Sequence, residues 1–430
     1  MRILFGLITL LLWVLSCTGP SSEETNTGAV RLKVPSVESK GPVLALDQET
    51  YEDKVLGAIV GSAIGDAMGA STEMWHRKDI QREYGYITGL TTVNLSRQAE
   101  GPWGNLAGKG TTTDDTRWKF FLGKYFAKYG SDLHPDHFAQ MIVNYYQQEV
   151  KGLANSQLSS SPDRLDDAML QVDWIKEWAR VALAYQKGAA AFETAKSRFY
   201  GGEMSCAGML YTPMFGLITP QPDSAYKLAY HHALFDIGYA KDIAGMVATF
   251  THLALQENNM QQVLEQGMRV DPFGYSNSRL VGRLMQNIVK ESRWMVQTAN
   301  SLSEDDLSNP ITAPKGYPGS QLDWNRQAFI YDELAKKQRA IAFHAGEIFQ
   351  ILYTALLYGE GDFNKTMTFI VNYGRDNDTV GAVAGMILGA QLGFKRLPID
   401  LRNQVMQTNK VQLGIDLETV GQEVISAGSR

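Results

Sequence analysis

At 430 residues, 44% of them hydrophobic, the chain has enough apolar mass for one large domain or two ordinary ones and is not a disordered polymer. A formal charge of −6 and a pI near 5.7 leave no basic footprint, which argues against a DNA or RNA partner. Small anionic ligands stay possible where a metal ion or helix N-termini supply positive potential.

The chain opens with MRILFGLITLLLWVLSC: one arginine, an apolar stretch of thirteen residues from Ile3 to Leu15, then Ser16-Cys17. A membrane span needs about 20 residues, so this stretch is short for one and has the length of a signal-peptide core. A small residue followed by cysteine at that point resembles a bacterial lipobox. Residues 1–16 are therefore expected to be a lipoprotein signal peptide, and Cys17 the lipidated first residue of an exported protein anchored in the periplasm, outer membrane or cell surface. An ordinary signal peptide with a chance cysteine is the alternative. Residues 17–45, rich in Ser, Thr, Glu, Gly and Pro, read as a flexible tether, and 46–430 as the folded domain. With Cys17 carrying lipid, Cys206 has no partner for a disulfide.

From about residue 50 the periodicity is helical, with helices expected over 54–69, 136–150, 166–197, 223–235, 240–257, 279–298, 326–358, 362–372 and 379–392. In TRWKFFLGKYFAKY, Trp118, Phe121, Leu122, Tyr125, Phe126 and Tyr129 form one stripe, with Lys119, Lys124 and Lys128 away from it, the pattern of a surface helix with one buried face. Strand signals are almost absent and nothing recurs at a fixed 20 to 50 residue period, so the expectation is all-α and not a solenoid. Stretches 85–112, 200–222, 270–278 and 303–323 read as long loops, where function often sits.

Two of these helices carry glycine ridges, Gly57, Gly61, Gly65 and Gly69 in one and Gly381, Gly385, Gly389 and Gly393 in the other. Each helical glycine costs about 1 kcal/mol relative to alanine, so such ridges imply close approach by another backbone. Asp66 in the first, and the short length of the second before Phe394-Lys395-Arg396, favour a buried soluble core over a transmembrane pair.

Acidic clusters stand beside three helices: TTTDDT (111–116) opens the aromatic-striped helix, GRDNDT (374–379) opens the second glycine helix, and Glu73 follows the first. One aspartate or threonine suffices for a cap, and each cluster alone reads most simply as one; RLDDAM (164–169) is assigned to that role. Asp376 and Asp378, two apart, converge only if Gly374 to Asp378 form a turn. Carboxylates gathered in one cleft repel unless a cation joins them. Thr113, Asp114, Asp115, Asp376, Asp378 and Thr379 are all oxygen donors, suited to Mg²⁺, Mn²⁺ or Ca²⁺, whereas zinc is disfavoured because neither cluster holds His or Cys. His231-His232, His252 and His344 are read as core or surface residues, and Cys206 as a small buried side chain.

In that order, GSAIGDAMGASTE, TTTDDT and GRDNDTVGAVAGMILGA resemble the ADP-ribosylglycohydrolases, including the dinitrogenase-reductase-activating enzymes, over about residues 54 to 394. The resemblance implies a compact orthogonal multi-helix domain with a binuclear Mg²⁺ or Mn²⁺ site that hydrolyses the bond between ADP-ribose and an acceptor such as arginine or serine. It implies Thr113, Asp114 and Asp115 as the first metal motif, Asp376, Asp378 and Thr379 as the second, and Glu73 as the catalytic or gating glutamate, with Asp66 structural. The ions would orient the ribose through its vicinal hydroxyls and make water a better nucleophile near neutral pH, and Glu73 or a ligand aspartate would serve as general base. Ser205, Gly208 and Met209 fall in the family's middle loop and are candidate substrate contacts, while loop 200–222 and Trp103 are candidates for pyrophosphate and adenine.

The middle loop, SCAGMLYTP (205–213), departs from the family by Ser205 and Leu210 where Asn and Arg are common, and Arg375 replaces a glycine of the second motif. Two further readings therefore stay open: hydrolysis of another ribosyl or N-glycosyl compound, and a catalytically silent binding protein on the same scaffold.

Overall fold

The structure, a computed structural model, describes residues 44–92, 108–155, 162–306 and 310–428. All of these belong to one compact unit, Glu38–Arg430. The expected signal peptide 1–16, Cys17, the expected tether up to residue 43 and Trp103 lie outside the described residues.

The two glycine helices, Gln48–Gly69 and Asn377–Leu392, form the centre of the fold. Asp47 caps the first by accepting from Thr50 N at 2.9 Å, and nearly every residue of the second is buried. They run antiparallel with glycine against glycine: a Cβ built on Gly57 would stand 2.6 Å from the Gly389 carbonyl oxygen, and one built on Gly381 would stand 2.5 Å from that of Gly65. Backbone meets backbone there because no side chain intervenes. This register carries the end of the first helix to the start of the second, so that a Cβ on Gly69 would meet the backbone of Asp378. Among the described residues no helix is long and apolar enough to cross a membrane.

The fold is all-α, with seventeen α-helices among the described residues and only two strands, each of two residues. Those strands, Trp75–His76 and Gly374–Arg375, pair antiparallel with Trp75 opposite Arg375. Met74 and Arg375 both adopt left-handed φ, 61° and 64°, and Met74 N donates to Arg375 O at 2.7 Å. Non-glycine residues rarely hold that conformation, and here the ladder bond and an ion pair with Glu347 hold it.

The aromatic-striped helix, Asp114–Tyr129, buries Trp118, Phe121, Leu122, Tyr125 and Phe126 as its sequence predicts. Trp118 packs edge-on or tilted against Trp174, Trp178, Phe138 and Tyr211, with the Trp178 centroid 4.6 Å away. Lys124 and Lys128 are exposed, but Lys119, placed off the stripe by sequence, is buried with only 1% of its surface exposed.

Several boundaries differ from the sequence expectation. The 166–197 helix is two, Pro162–Gln186 and Ala189–Phe199, broken at Gly188, whose φ of 114° no continuing helix accommodates. The 326–358 helix is also two, Gln321–Ala335 and Ala345–Gly359, the second started by His344, whose Nδ1 accepts from Gly346 N. The 279–298 helix begins only at Met285, and the loop 200–222 contains three single turns of helix. Helices Arg77–Tyr84, Met260–Met268, Ile399–Thr408 and Leu417–Gly428 were not anticipated; the first buries only Ile80, so it carries almost no apolar period.

Candidate metal centre

Three chain segments meet at the junction of the glycine helices. Glu73 lies four residues beyond Gly69, and the short ladder Trp75–Arg375 ties its segment to the one carrying Asp376. Asp376 is the residue preceding the second glycine helix, and Asp378 stands in that helix's first turn. The turn is shorter than the expected span of Gly374 to Asp378: Gly374 and Arg375, with φ of 83° and 64°, form the two-residue strand, Asp376 is the cap position, and the helix starts at Asn377. Asn377, fully buried between the two aspartates, donates to Thr72 Oγ1 at 2.8 Å and to Val371 O at 3.1 Å, which pins the second acidic segment to the first.

Glu73, Asp376 and Asp378 each place a carboxylate oxygen within 4.8 Å of the others, and all three are buried. One oxygen of Asp378 is buried without a hydrogen-bond partner. Burial, then the charge of Asp115, pushes the Asp376 carboxyl up to about 7. Burial, then the charges of Glu73, Asp376 and Asp115, holds Asp378 well above the carboxylate range. Without a cation this cluster can be charge-balanced only by protonation; oxygen-only donors at this density suit a hard divalent ion.

The first motif reaches the same place from the side. Thr113 caps its helix by accepting from Asp115 N at 3.3 Å, Asp114 is half-buried, and Asp115 is buried. Asp115 Oδ2 accepts from Thr379 Oγ1 at 3.0 Å, so the two sequence motifs touch across 264 residues. Asp115 Oδ1 lies 3.1 Å from Lys119 Nζ. Asp66, assigned a structural role from sequence, caps this helix from outside it: its carboxylate accepts from Thr113 N (2.9 Å), Thr116 N (3.0 Å) and Thr116 Oγ1 (2.6 Å). Burial, then Asp115, raises Asp66 to about 7.

The middle loop touches the cluster through a residue that sequence reasoning set aside. Cys206 Sγ donates to Asp376 Oδ2 at 3.4 Å, and burial, then Asp376, pushes its pKa up, which makes it a thiol donor and not a nucleophile. Ser205 pairs with His344 through an isolated bridge, and its hydroxyl is buried without a partner. Gly208 N donates to Asp236 Oδ1 at 2.8 Å, and Met209 is buried in the core cluster. His232 and His252 are core histidines and His344 is a helix cap, as expected of residues outside a metal site.

Sequence reasoning missed three contributors: the Lys119 ammonium, the Cys206–Asp376 contact, and Arg375. The Arg375 guanidinium binds Glu347 through Nε at 2.6 Å and through its terminal nitrogen at 3.1 Å. None of the three pairings carries a local signal, apart from the four-residue spacing of Asp115 and Lys119, which reads equally well as a surface pair.

The fold is an all-helical body in which buried acidic motifs open two helices. The ADP-ribosylglycohydrolase family profile matches residues 47–427, and the chain belongs to that family. It is similar to the ADP-ribosyl-[dinitrogen reductase] glycohydrolase of Rhodospirillum rubrum, 35% identical over 82 residues, 19% of this chain and 25% of that protein. It also resembles uncharacterized protein YegU of Escherichia coli (strain K12), 29% identical over 97 residues, 22% of this chain and 27% of that one. The matched stretch thus spans about a quarter of either curated relative. A solved structure titled ADP-ribosylglycohydrolase-related protein complex shares the fold, with a TM-score of 0.50 at 17% identity, covering 88% of this chain and 99% of that one.

Proposed function

We propose that the chain is a divalent-cation-dependent glycohydrolase that breaks the bond at ribose C1 of an ADP-ribosyl group, on a protein or a related conjugate. The observation that carries this reading is the convergence of Glu73, Asp376 and Asp378, with an unpartnered Asp378 oxygen, in a member of this family. These three residues would hold Mg²⁺ or Mn²⁺, and Asp115 with Thr379 flanks them where the resemblance implies a second ion. A cation held there would supply the positive charge that helps orient ribose hydroxyls and eases deprotonation of water.

Glu73 is 8% exposed, against 3% for Asp376 and 2% for Asp378, and sits on the turn beyond a helix end, not within a helix. It is the carboxylate best placed to exchange a proton with water. In the proposed step the water oxygen bonds to C1, Glu73 takes the water proton, and the departing nitrogen or oxygen of the acceptor leaves with a proton passed back from Glu73. Asp66 acts only through the Asp114–Tyr129 helix, holding its first turn in place. Ser205, whose buried hydroxyl has no partner, remains proposed as a substrate contact on the loop that reaches Asp376, whereas Met209 packs in the core and Gly208 holds Asp236.

Turnover of ADP-ribosyl-arginine and ADP-ribosyl-serine, each with Mg²⁺, Mn²⁺ and chelator, tests the reading. Release of ADP-ribose that chelator abolishes supports it; no release from either, with any metal, removes it. A second reading, hydrolysis of another ribosyl or N-glycosyl compound, is favoured by Ser205 and Leu210 in the middle loop and is tested by the same assay on nucleosides. We further propose that the chain is tethered to a membrane through lipid on Cys17; mass analysis of the mature N-terminus decides that point.

A further inference from the structure

The Asp115 carboxylate is met on both sides by donors of this chain. Both of its oxygens are occupied by this chain, Oδ1 by Lys119 Nζ at 3.1 Å and Oδ2 by Thr379 Oγ1 at 3.0 Å. Asp378, in contrast, leaves an oxygen unpartnered, and the trio Glu73, Asp376 and Asp378 closes to within 4.8 Å without Asp115. Lys119 cannot be dismissed as a surface lysine folded inward: its side chain is 2% exposed, that of Asp115 is 1% exposed, and the two are one helical turn apart on a helix whose first turn Asp66 holds. A buried ammonium with a single carboxylate partner has nowhere in solvent to retreat while its helix stays docked.

A divalent ion on Asp115 would have to share that carboxylate with the ammonium or expel it. Two cations on one carboxylate, shielded from water, repel strongly. We propose that Lys119 stands in for a second metal ion, so that this centre binds one divalent cation, at Glu73, Asp376 and Asp378, with Asp115 serving as counter-ion to Lys119. This rests on the metal-dependent reading above and departs from the two-ion expectation. The clustered carboxylates then have two sources of positive charge, one exchangeable and one built into the chain.

The test is a count of ions. The metal-stripped protein is titrated with Mn²⁺ by calorimetry, and the bound metal is measured after desalting; electron paramagnetic resonance separately distinguishes an isolated Mn²⁺ from an exchange-coupled pair. One Mn²⁺ per chain with an isolated-ion spectrum is expected for the natural sequence and for Lys119→Arg, which keeps the cation. Lys119→Met, similar in length and uncharged, is expected to take a second Mn²⁺ and to show coupling. Two ions in the natural sequence would overturn the inference while leaving the metal reading intact, and no bound Mn²⁺ at any concentration would overturn both. A Lys119→Met protein that melts as the natural one does yet still holds a single ion removes Lys119 from the explanation. If that variant does not fold, the counts in the natural sequence and in Lys119→Arg decide alone.

Discussion

Gly65 and Gly381 lie back to back at the centre of the protein, so close that a Cβ on Gly381 would stand 2.5 Å from the Gly65 carbonyl oxygen. The seam positions the acidic groups at its end: Gly381 is in the helix whose first turn holds Asp378, and Gly65 is in the helix that Glu73 follows. Gly381→Ala is expected to destabilise at or beyond the upper end of the roughly 1–3 kcal/mol typical of overpacking, since the clash is with backbone. Gly152, exposed in its helix with nothing within 4 Å of an added Cβ, behaves oppositely. Gly152→Ala is expected to stabilise by roughly 0.4–1 kcal/mol through the unfolded chain. Urea unfolding of the two variants checks both; a tolerated Gly381→Ala would show that the seam is looser than its geometry.

Asp378→Asn separates the metal role from the structural one. Burial and four neighbouring carboxylates hold Asp378 well above its ordinary pKa, so the negative charge is a strain on the metal-free fold. The variant is expected to raise the melting temperature of the metal-free protein and to weaken Mn²⁺ binding by more than about 100-fold, beyond what loss of an outer partner costs. Melting curves with and without Mn²⁺ measure the two effects together. Equal metal-induced shifts in variant and natural protein would reduce Asp378 to a helix-start residue.

Glu73→Gln keeps the shape of the side chain and removes its capacity to take a proton. Because Glu73 is also one of the three residues that would hold the cation, turnover is compared at saturating Mn²⁺, where it is expected to fall by about 10²- to 10⁴-fold, the range of general acid–base catalysis, with the fold retained. A structural role predicts instead that activity tracks the melting temperature. Full turnover in the Gln variant would remove Glu73 from the mechanism.

His232 is fully buried, and its ring nitrogens lie 3.0 Å from the Tyr125 hydroxyl and 2.8 Å from Leu228 O. Burial pushes its pKa down to about 3, from an ordinary 6.5. The unfolded chain binds a proton here that the folded one refuses, so this contribution is complete above about pH 6.5 and is lost progressively as pH falls from there toward 3. Unfolding free energy measured at pH 7.5, 6 and 5 is expected to fall with a steeper slope in the natural protein than in His232→Gln, by up to one proton. Parallel slopes would mean that the acid sensitivity lies in other groups, such as His252.

The acidic motifs and the glycine ridges were legible from sequence because each is a local pattern with a physical cost. Helices that carry glycines at four-residue spacing need a close partner, and paired aspartates exceed what capping needs. Apolar period likewise announced the all-α body and the stripe through Trp118 and Phe121. Break points were less visible: Gly188 interrupts one apparently continuous helical pattern by its φ, and in the other the helix stops at Ala335 and restarts after the cap at His344, neither residue type forcing a break by itself. What only the tertiary structure decided is which charge meets which. The ladder between Trp75 and Arg375 brings Glu73 to Asp376, the hydroxyl of Thr379 reaches Asp115 from 264 residues away, and Lys119 turns inward although its place on the helix marks it for solvent. Local patterning records how a residue sits on its own helix; its partners depend on the docking of the glycine seam, which is set by backbone contact between segments more than 300 residues apart.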